Sequence, residues 1–434
     1  MKESVMKKLF SCIFVMIIAA QCFAQVPQKA PQLWKAYKEK NYFKLDKLMS
    51  TSTARPDNPD WMLYKATVDY VFNKPVESNR SIDVLLRNPG NFNDTILKDL
   101  YYMRASNAYR LKDYKQAYID DSIMVTRYGR ACDSTELDAR QDDITIFRNL
   151  VDIPRMDMSI PANAQASFKR DIAGLLNVKV ELQQDTLDFV FDTGAGFSVI
   201  VESLAKKYGV RYIGGPAQTG TSTGIKVVGR TGLLDFRLGN IEVRNAAVLV
   251  LADSLLTYAG GAYVIRGVIG FPEIYAMKEC IITDDRVLTV PQKPEETSDR
   301  NLALDGQYLI IRTTAKNDTL PMLFDSGNTT TVLSSLFFRQ YQDEIVKNCR
   351  KFKVETGGAG GMVMTEAYIL GSLDLAAGNV QCRLDSVRIY MGDLLGADMK
   401  YLYGNFGQDY VKRFSEMKIN FASMHISFSG EKKK

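Results

Sequence analysis

Two stretches of this 434-residue chain are nearly the same sentence. "QDTLDFVFDTGAG" at 184–196 and "NDTLPMLFDSGNT" at 317–329 each run from a polar turn through an apolar strand to Asp-[Thr/Ser]-Gly. Asp192 and Asp325 therefore stand at strand ends where burial ordinarily excludes charge. The likeness extends beyond these lines. "LLNVKVEL" and "QYLIIRTT" precede the two copies, "LLDFRLGNIEV" matches "SLDLAAGNVQC", and "VIGFPEI" matches "NFGQDYV". Gly270 lies 78 residues after Asp192, and Gly407 lies 82 after Asp325. One β unit is written twice, so the chain must build two related β lobes.

The rest of the chain is organised around that pair. Lys2, Lys7 and Lys8, the apolar run "LFSCIFVMIIAA" and the small residues of "CFA" read as a secretory leader over 1–24, cut after Ala24. The run is short for a membrane span, and no later segment is apolar enough to be one. The expectation is an exported, periplasmic or secreted protein with no transmembrane segment once the leader is removed. Residues 27–150 show apolar residues at helical spacing. "AYKEKNYFKL" at 36–45 and "AYRLKDYKQA" at 108–117 lie 72 residues apart, twice a period of roughly 36, with "YKATVDYVFNKPVES" at 64–78 between them. This segment resembles a helical, tetratricopeptide-like repeat domain, and an irregular helical bundle is the competing expectation. It is a candidate docking surface for a protein partner. "PQKPEETSDR" at 291–300 reads as a linker between lobes spanning 165–290 and 301–430. "VDIPRMDMSIPANA" reads as a boundary after which the lobes would fold without the helices. The expected fold class is thus a multidomain α + β chain, an N-terminal helical domain followed by two tandem all-β lobes.

Composition narrows the chemistry. The net charge of +5 is modest, and nothing in its distribution points to nucleic acid. One histidine, His425, is present, which removes multi-histidine zinc sites and argues against Ser-His-Asp or Cys-His catalysis. Cys132, Cys280, Cys349 and Cys382 follow the leader with no Cys-x-x-Cys spacing. A Cys349–Cys382 disulfide and free buried thiols are both open at this point.

The paired Asp-[Thr/Ser]-Gly copies, each with its apolar-Gly partner, resemble the retropepsin–pepsin aspartic peptidases over about 165–428. The resemblance implies an acid-protease fold, no metal and no cofactor, a peptide or protein substrate, and Asp192 and Asp325 as the catalytic pair. It gives Thr193, Gly194, Ala195, Ser326, Gly327 and Asn328 the task of supporting the active-site loops. The glycine-rich "QTGTSTG" and "ETGGAGG" fall where the family has flaps, so Gly220, Gly224, Gly357, Gly358, Gly360 and Gly361 are the expected substrate-binding hairpins. Phe191 and Phe324 are expected to wall the site. Physical chemistry agrees with the assignment: two buried carboxyls in proximity cannot both ionise, and so share one proton. The second copy departs from the pattern at Asn328, after the glycine, and at Asn405, in an apolar slot. Either substitution would suit a peptide-binding pseudo-peptidase acting as an envelope scaffold, which is the alternative function.

Overall fold

The computed structural model describes residues 30–432 except 54, 56, 222, 223 and 393–399. The leader expected at 1–24 lies outside the described residues. Among the described residues, no helix is long and apolar enough to cross a membrane.

The helical part is three helical hairpins and a closing helix: Pro31–Lys38 with Tyr42–Ser50, Pro59–Val71 with Pro75–Leu86, Asp94–Arg110 with Tyr114–Tyr128, then Ser134–Leu150. The three hairpin turns share one construction. Lys40, Asn73 and Lys112 each take a left-handed backbone, with φ of 50°, 57° and 59°. The next amide reaches back five residues in each case: Asn41 N–H to Ala36 O, Lys74 N–H to Asp69 O, and Asp113 N–H to Ala108 O, at 2.9, 2.7 and 2.8 Å. That is the Schellman end, which satisfies carbonyls a helix would otherwise leave unpaired. Asn41 and Asp113 then cap the following helices. The 72-residue echo in the sequence therefore marks the first and third turns, and the second turn falls at Asn73.

The β part follows the duplication strand for strand. The first copy runs Leu176–Leu182, Asp185–Phe191, Ser198–Val201, Arg211–Gly220, Lys226–Leu238, Ile241–Leu251 and Gly267–Ile269. The second runs Tyr308–Ala315, Asp318–Phe324, Val332–Leu333, Arg350–Gly358, Gly361–Ala377, Val380–Tyr390 and Gly404–Phe406. In each, the strand before the aspartate pairs in parallel with the apolar-Gly strand, Ile269 against Phe191 and Phe406 against Phe324. The copies fall in a thirteen-stranded and an eight-stranded sheet. The final strands Phe414–Asn420 and His425–Glu431 do not join the second copy's sheet. Phe414–Asn420 pairs antiparallel with Glu279–Thr283, Lys418 opposite Ile281, so one sheet draws strands from both halves. His425 sits on that last strand with Nδ1 2.9 Å from Asp299 O. All four described cysteines are free, which removes the Cys349–Cys382 disulfide.

Helices and sheets are joined by buried polar contacts. The turn Asp305-Gly306-Gln307 of the second copy pushes into the helical array. Asp305 accepts from Tyr42 Oη, Tyr70 Oη and Tyr401 Oη at 2.7, 3.1 and 2.7 Å and from Lys40 Nζ at 3.1 Å. Arg110 donates to Gly306 O at 2.9 Å. Each left-handed turn residue bonds the β part or its lead-in: Lys40 to Asp305, Asn73 to Phe421 O and Tyr275 Oη, Lys112 to Met156 O. The helical array thus docks by its turn edge.

Candidate active site

Each aspartate begins a loop just beyond the edge of its strand pairing. Asp192 N–H donates to Ile269 O at 3.0 Å and Asp325 N–H to Phe406 O at 3.1 Å, so the apolar-Gly strand anchors both loops. The loops then grip each other crosswise. Thr193 Oγ1 donates to Phe324 O at 2.8 Å and Ser326 Oγ to Phe191 O at 2.7 Å. Each hydroxyl also accepts the other loop's amide, Ser326 N–H and Thr193 N–H, both at 3.0 Å. Thr193 and Ser326 are buried, so these four bonds replace water that the chain has excluded.

Glycine lets the loops interleave. A Cβ on Gly194 would lie 2.7 Å from Asp325 Cγ, and one on Gly327 would lie 2.4 Å from Asp192 Cγ. Each carboxylate therefore sits over the opposite loop's glycine. Gly194 N–H and Gly327 N–H donate to their own loop's Asp192 Oδ1 and Asp325 Oδ1 at 2.8 and 2.9 Å. The two carboxyls are near enough for each to act on the other's proton affinity. Burial raises the proton affinity of both. For Asp192, the charge of Asp325 adds to that and pushes it well above the carboxylate range. For Asp325 the rise is restrained, foremost by the Asn405 amide, which donates to Oδ2 at 2.9 Å. The Asn405 amide therefore favours the charged form of Asp325, and the two carboxyls titrate as one unit.

Sequence expectations and structure diverge in four places. Asn328 does not reach the carboxylate with its side chain; its Oδ1 faces Thr330 N–H, and its backbone O accepts from Gln408 N–H at 2.8 Å as Ala195 O does from Phe271 N–H. Asn405 is the residue that bonds Asp325. Phe191 and Phe324 are fully buried behind the site, against Phe168 and Phe406, and do not wall it. Gly220, Gly224, Gly357 and Gly358 line the cavity above the aspartates, whereas Gly360 and Gly361 turn the second hairpin and meet Ile225 of the first. Gly360 N–H also donates at 3.2 Å to Leu255 O, in the turn Asp253–Leu256 that follows strand Ile241–Leu251.

The cavity holding Asp192 and Asp325 has a volume of about 980 Å³, and its third wall is helical. Helices Tyr114–Tyr128 and Ser134–Leu150 face it with Asp121, Asp138 and Asp142 among others. Nothing local in the sequence announces this, because the wall is made by docking. Tyr109 Oη donates to Gly196 O at 3.1 Å, directly after the first aspartate loop, and its ring packs on Phe197 and Phe271. Asn149 fits against Gly214, whose φ of 64° and lack of Cβ leave room for it beside a register shift in the first hairpin strand.

Comparison with known proteins bears on part of this arrangement. No curated protein matches the chain. A family model described as aspartyl protease matches residues 178–272, from the strand before the first aspartate to the helix after Gly270. Geometry and match together give a retropepsin-like aspartic-protease domain, resembled over that segment, within a larger α + β chain.

Proposed function

We propose that this chain is an exported aspartic endopeptidase whose two β copies form one active site. The observation that carries the reading is the crossed hydroxyl grip, which holds two buried carboxyls, each over the opposite loop's glycine, in one cleft of about 980 Å³. In the proposed reaction, Asp325 takes a proton from a water whose oxygen attacks the scissile carbonyl carbon. Asp192 gives its proton to the carbonyl oxygen, leaving a neutral gem-diol. Collapse of the diol breaks the C–N bond: Asp325 returns its proton to the leaving nitrogen, and a diol hydroxyl reprotonates Asp192. The products are an acid and an amine, and no covalent intermediate forms. The cleft hairpins bind the substrate backbone, and the helical array, read as tetratricopeptide-like, supplies the third wall.

Asn405 is the substitution that speaks for an inert lobe, yet its donation to Asp325 supports a charged base. The test is cleavage of a quenched fluorescent peptide library by the full chain and by Asp192→Asn, Asp325→Asn and the double variant. Each single substitution is expected to cost about a thousandfold or more, and the double no more than either single, because the two act as a unit. Turnover near wild type in either folded variant would refute the paired mechanism.

A further inference from the structure

The helical wall of the cleft is acidic, and one of its carboxyls makes no hydrogen bond among the described residues. Asp121, on helix Tyr114–Tyr128, is 1% exposed and lines the same cavity as the aspartate pair. Neither of its oxygens has a hydrogen-bond partner among the described residues. Its charged neighbours are Asp120, Asp143 and Arg140, of which Arg140 alone favours its ionised form. Asp120 is held by Arg104 at 2.7 Å, and Asp143 by Arg140 at 2.9 Å, whose guanidinium lies 5.0 Å from the Tyr102 ring centre. A buried carboxylate without donors is costly, and native structures keep few such groups without a purpose.

The rim of the wall shows what chemistry it accepts. Lys226, on the first hairpin, places Nζ 3.2 Å from Asp142 and 3.4 Å from Asp138. An ammonium reaching in from the cleft side is therefore already accommodated. The described residues contain no group of three or more His, Cys, Asp or Glu side chains placed to hold a metal ion. The wall suits an organic cation with N–H donors.

We infer that this wall is a specificity subsite for a lysine or arginine side chain of the bound peptide, with Asp121 at its base, Asp138 and Asp142 at its rim, and Lys226 as its resting occupant. A cationic side chain passing the rim gives Asp121 the donors it lacks and displaces Lys226, which frees the first hairpin to settle over the peptide backbone. Which bond is cut rests on the peptidase reading; which peptide is held does not.

The experiment uses N-acetylated peptides identical except for lysine or norleucine, with lysine moved through each position. Cleavage is measured with the full chain and binding by fluorescence anisotropy with the Asp192→Asn/Asp325→Asn variant. At one position lysine is expected to raise both kcat/KM and affinity about tenfold over norleucine, and Asp121→Asn to bring both ratios close to one. Asp142→Asn, at the rim, is expected to lower the ratio partway. Ratios near one in the wild-type chain, or ratios that Asp121→Asn leaves intact, overturn the subsite. If no peptide is cleaved but the lysine peptide still binds about tenfold tighter through Asp121, the peptidase reading falls and the subsite stands.

Discussion

Val268 and Asn405 occupy equivalent places in the two copies, Val268 in register with Val190 and Asn405 with Leu323, each next to the strand that ends in an aspartate. A donor to a carboxylate favours its charged form, so removing it raises the pKa. Asn405→Val is expected to move the acid limb of the kcat/KM profile up by roughly one pH unit, since the proposed reaction needs Asp325 ionised. The basic limb, where the shared proton leaves, should move less. Asn328→Ala is expected to leave the acid limb in place, because the Asn328 amide does not touch Asp325. Asp121 obeys a different sign. Burial pushes it up to about 8, Arg140 opposing and Asp143 and Asp120 adding to the rise. A carboxyl whose folded pKa is raised destabilises the fold progressively as pH climbs from the ordinary carboxylate range to about 8. Thermal melts across that window should show a downward slope that Asp121→Asn makes shallower. At this scale the sequence displays the aspartates and their glycines openly, because the pattern is local and stated twice. It also displays Asn405 as a polar letter in an apolar slot. Its target is not legible, since only strand register aims the amide at Asp325.

The two glycine-rich hairpins differ in how they are restrained. The first is tethered through Lys226 to helix Ser134–Leu150, and the second meets it at Gly360. Lys226 and Asp138 are half exposed, so Lys226→Gln should change stability by less than about 1 kcal/mol. It should instead speed amide hydrogen exchange along Arg211–Leu238, measurable by mass spectrometry. Gly360 has φ of 89°, and a Cβ there would lie 2.8 Å from Val227 Cγ1. Gly360→Ala is expected to strain the tip by about 1–3 kcal/mol and to appear as a raised KM in peptide cleavage. The hairpins are readable from their glycines and flanking alternation. The partner helix is not, because its contact depends on Gly214 and Asn149, 65 residues apart and without a shared motif.

Between helices and sheets the chain reads as if it could be divided after residue 150, yet the structure argues against an independent pair of lobes. Asp305 is buried at 4% exposure under Tyr42, Tyr70 and Lys40 of the helical array. Although burial alone would raise it, Lys40 and the donating hydroxyls hold its carboxyl far below the usual range. Such a depressed group stabilises the fold above the ordinary carboxylate pKa and loses that contribution only as pH falls through its low folded value. Asp305→Asn is expected to cost on the order of 3 kcal/mol at neutral pH, read as a lowered Tm, because it leaves Lys40 facing a neutral amide. A chain of residues 165–434 uncovers Asp305, Gly196 and the Phe197–Phe271 face together, and is expected to aggregate or elute expanded in size-exclusion chromatography. The sequence conceals this dependence because Asp305 looks like an ordinary turn residue in "LALDGQY". The shared sheet has a kinetic counterpart. Glu279–Thr283 finds one of its neighbours only in Phe414–Asn420, a pairing of high sequence separation, so loop closure governs when that sheet completes. The second aspartate loop and these last strands arrive long after the first loop has left the ribosome. A growing chain therefore holds no assembled carboxyl pair, and the site that joins them comes into being as a late event of folding.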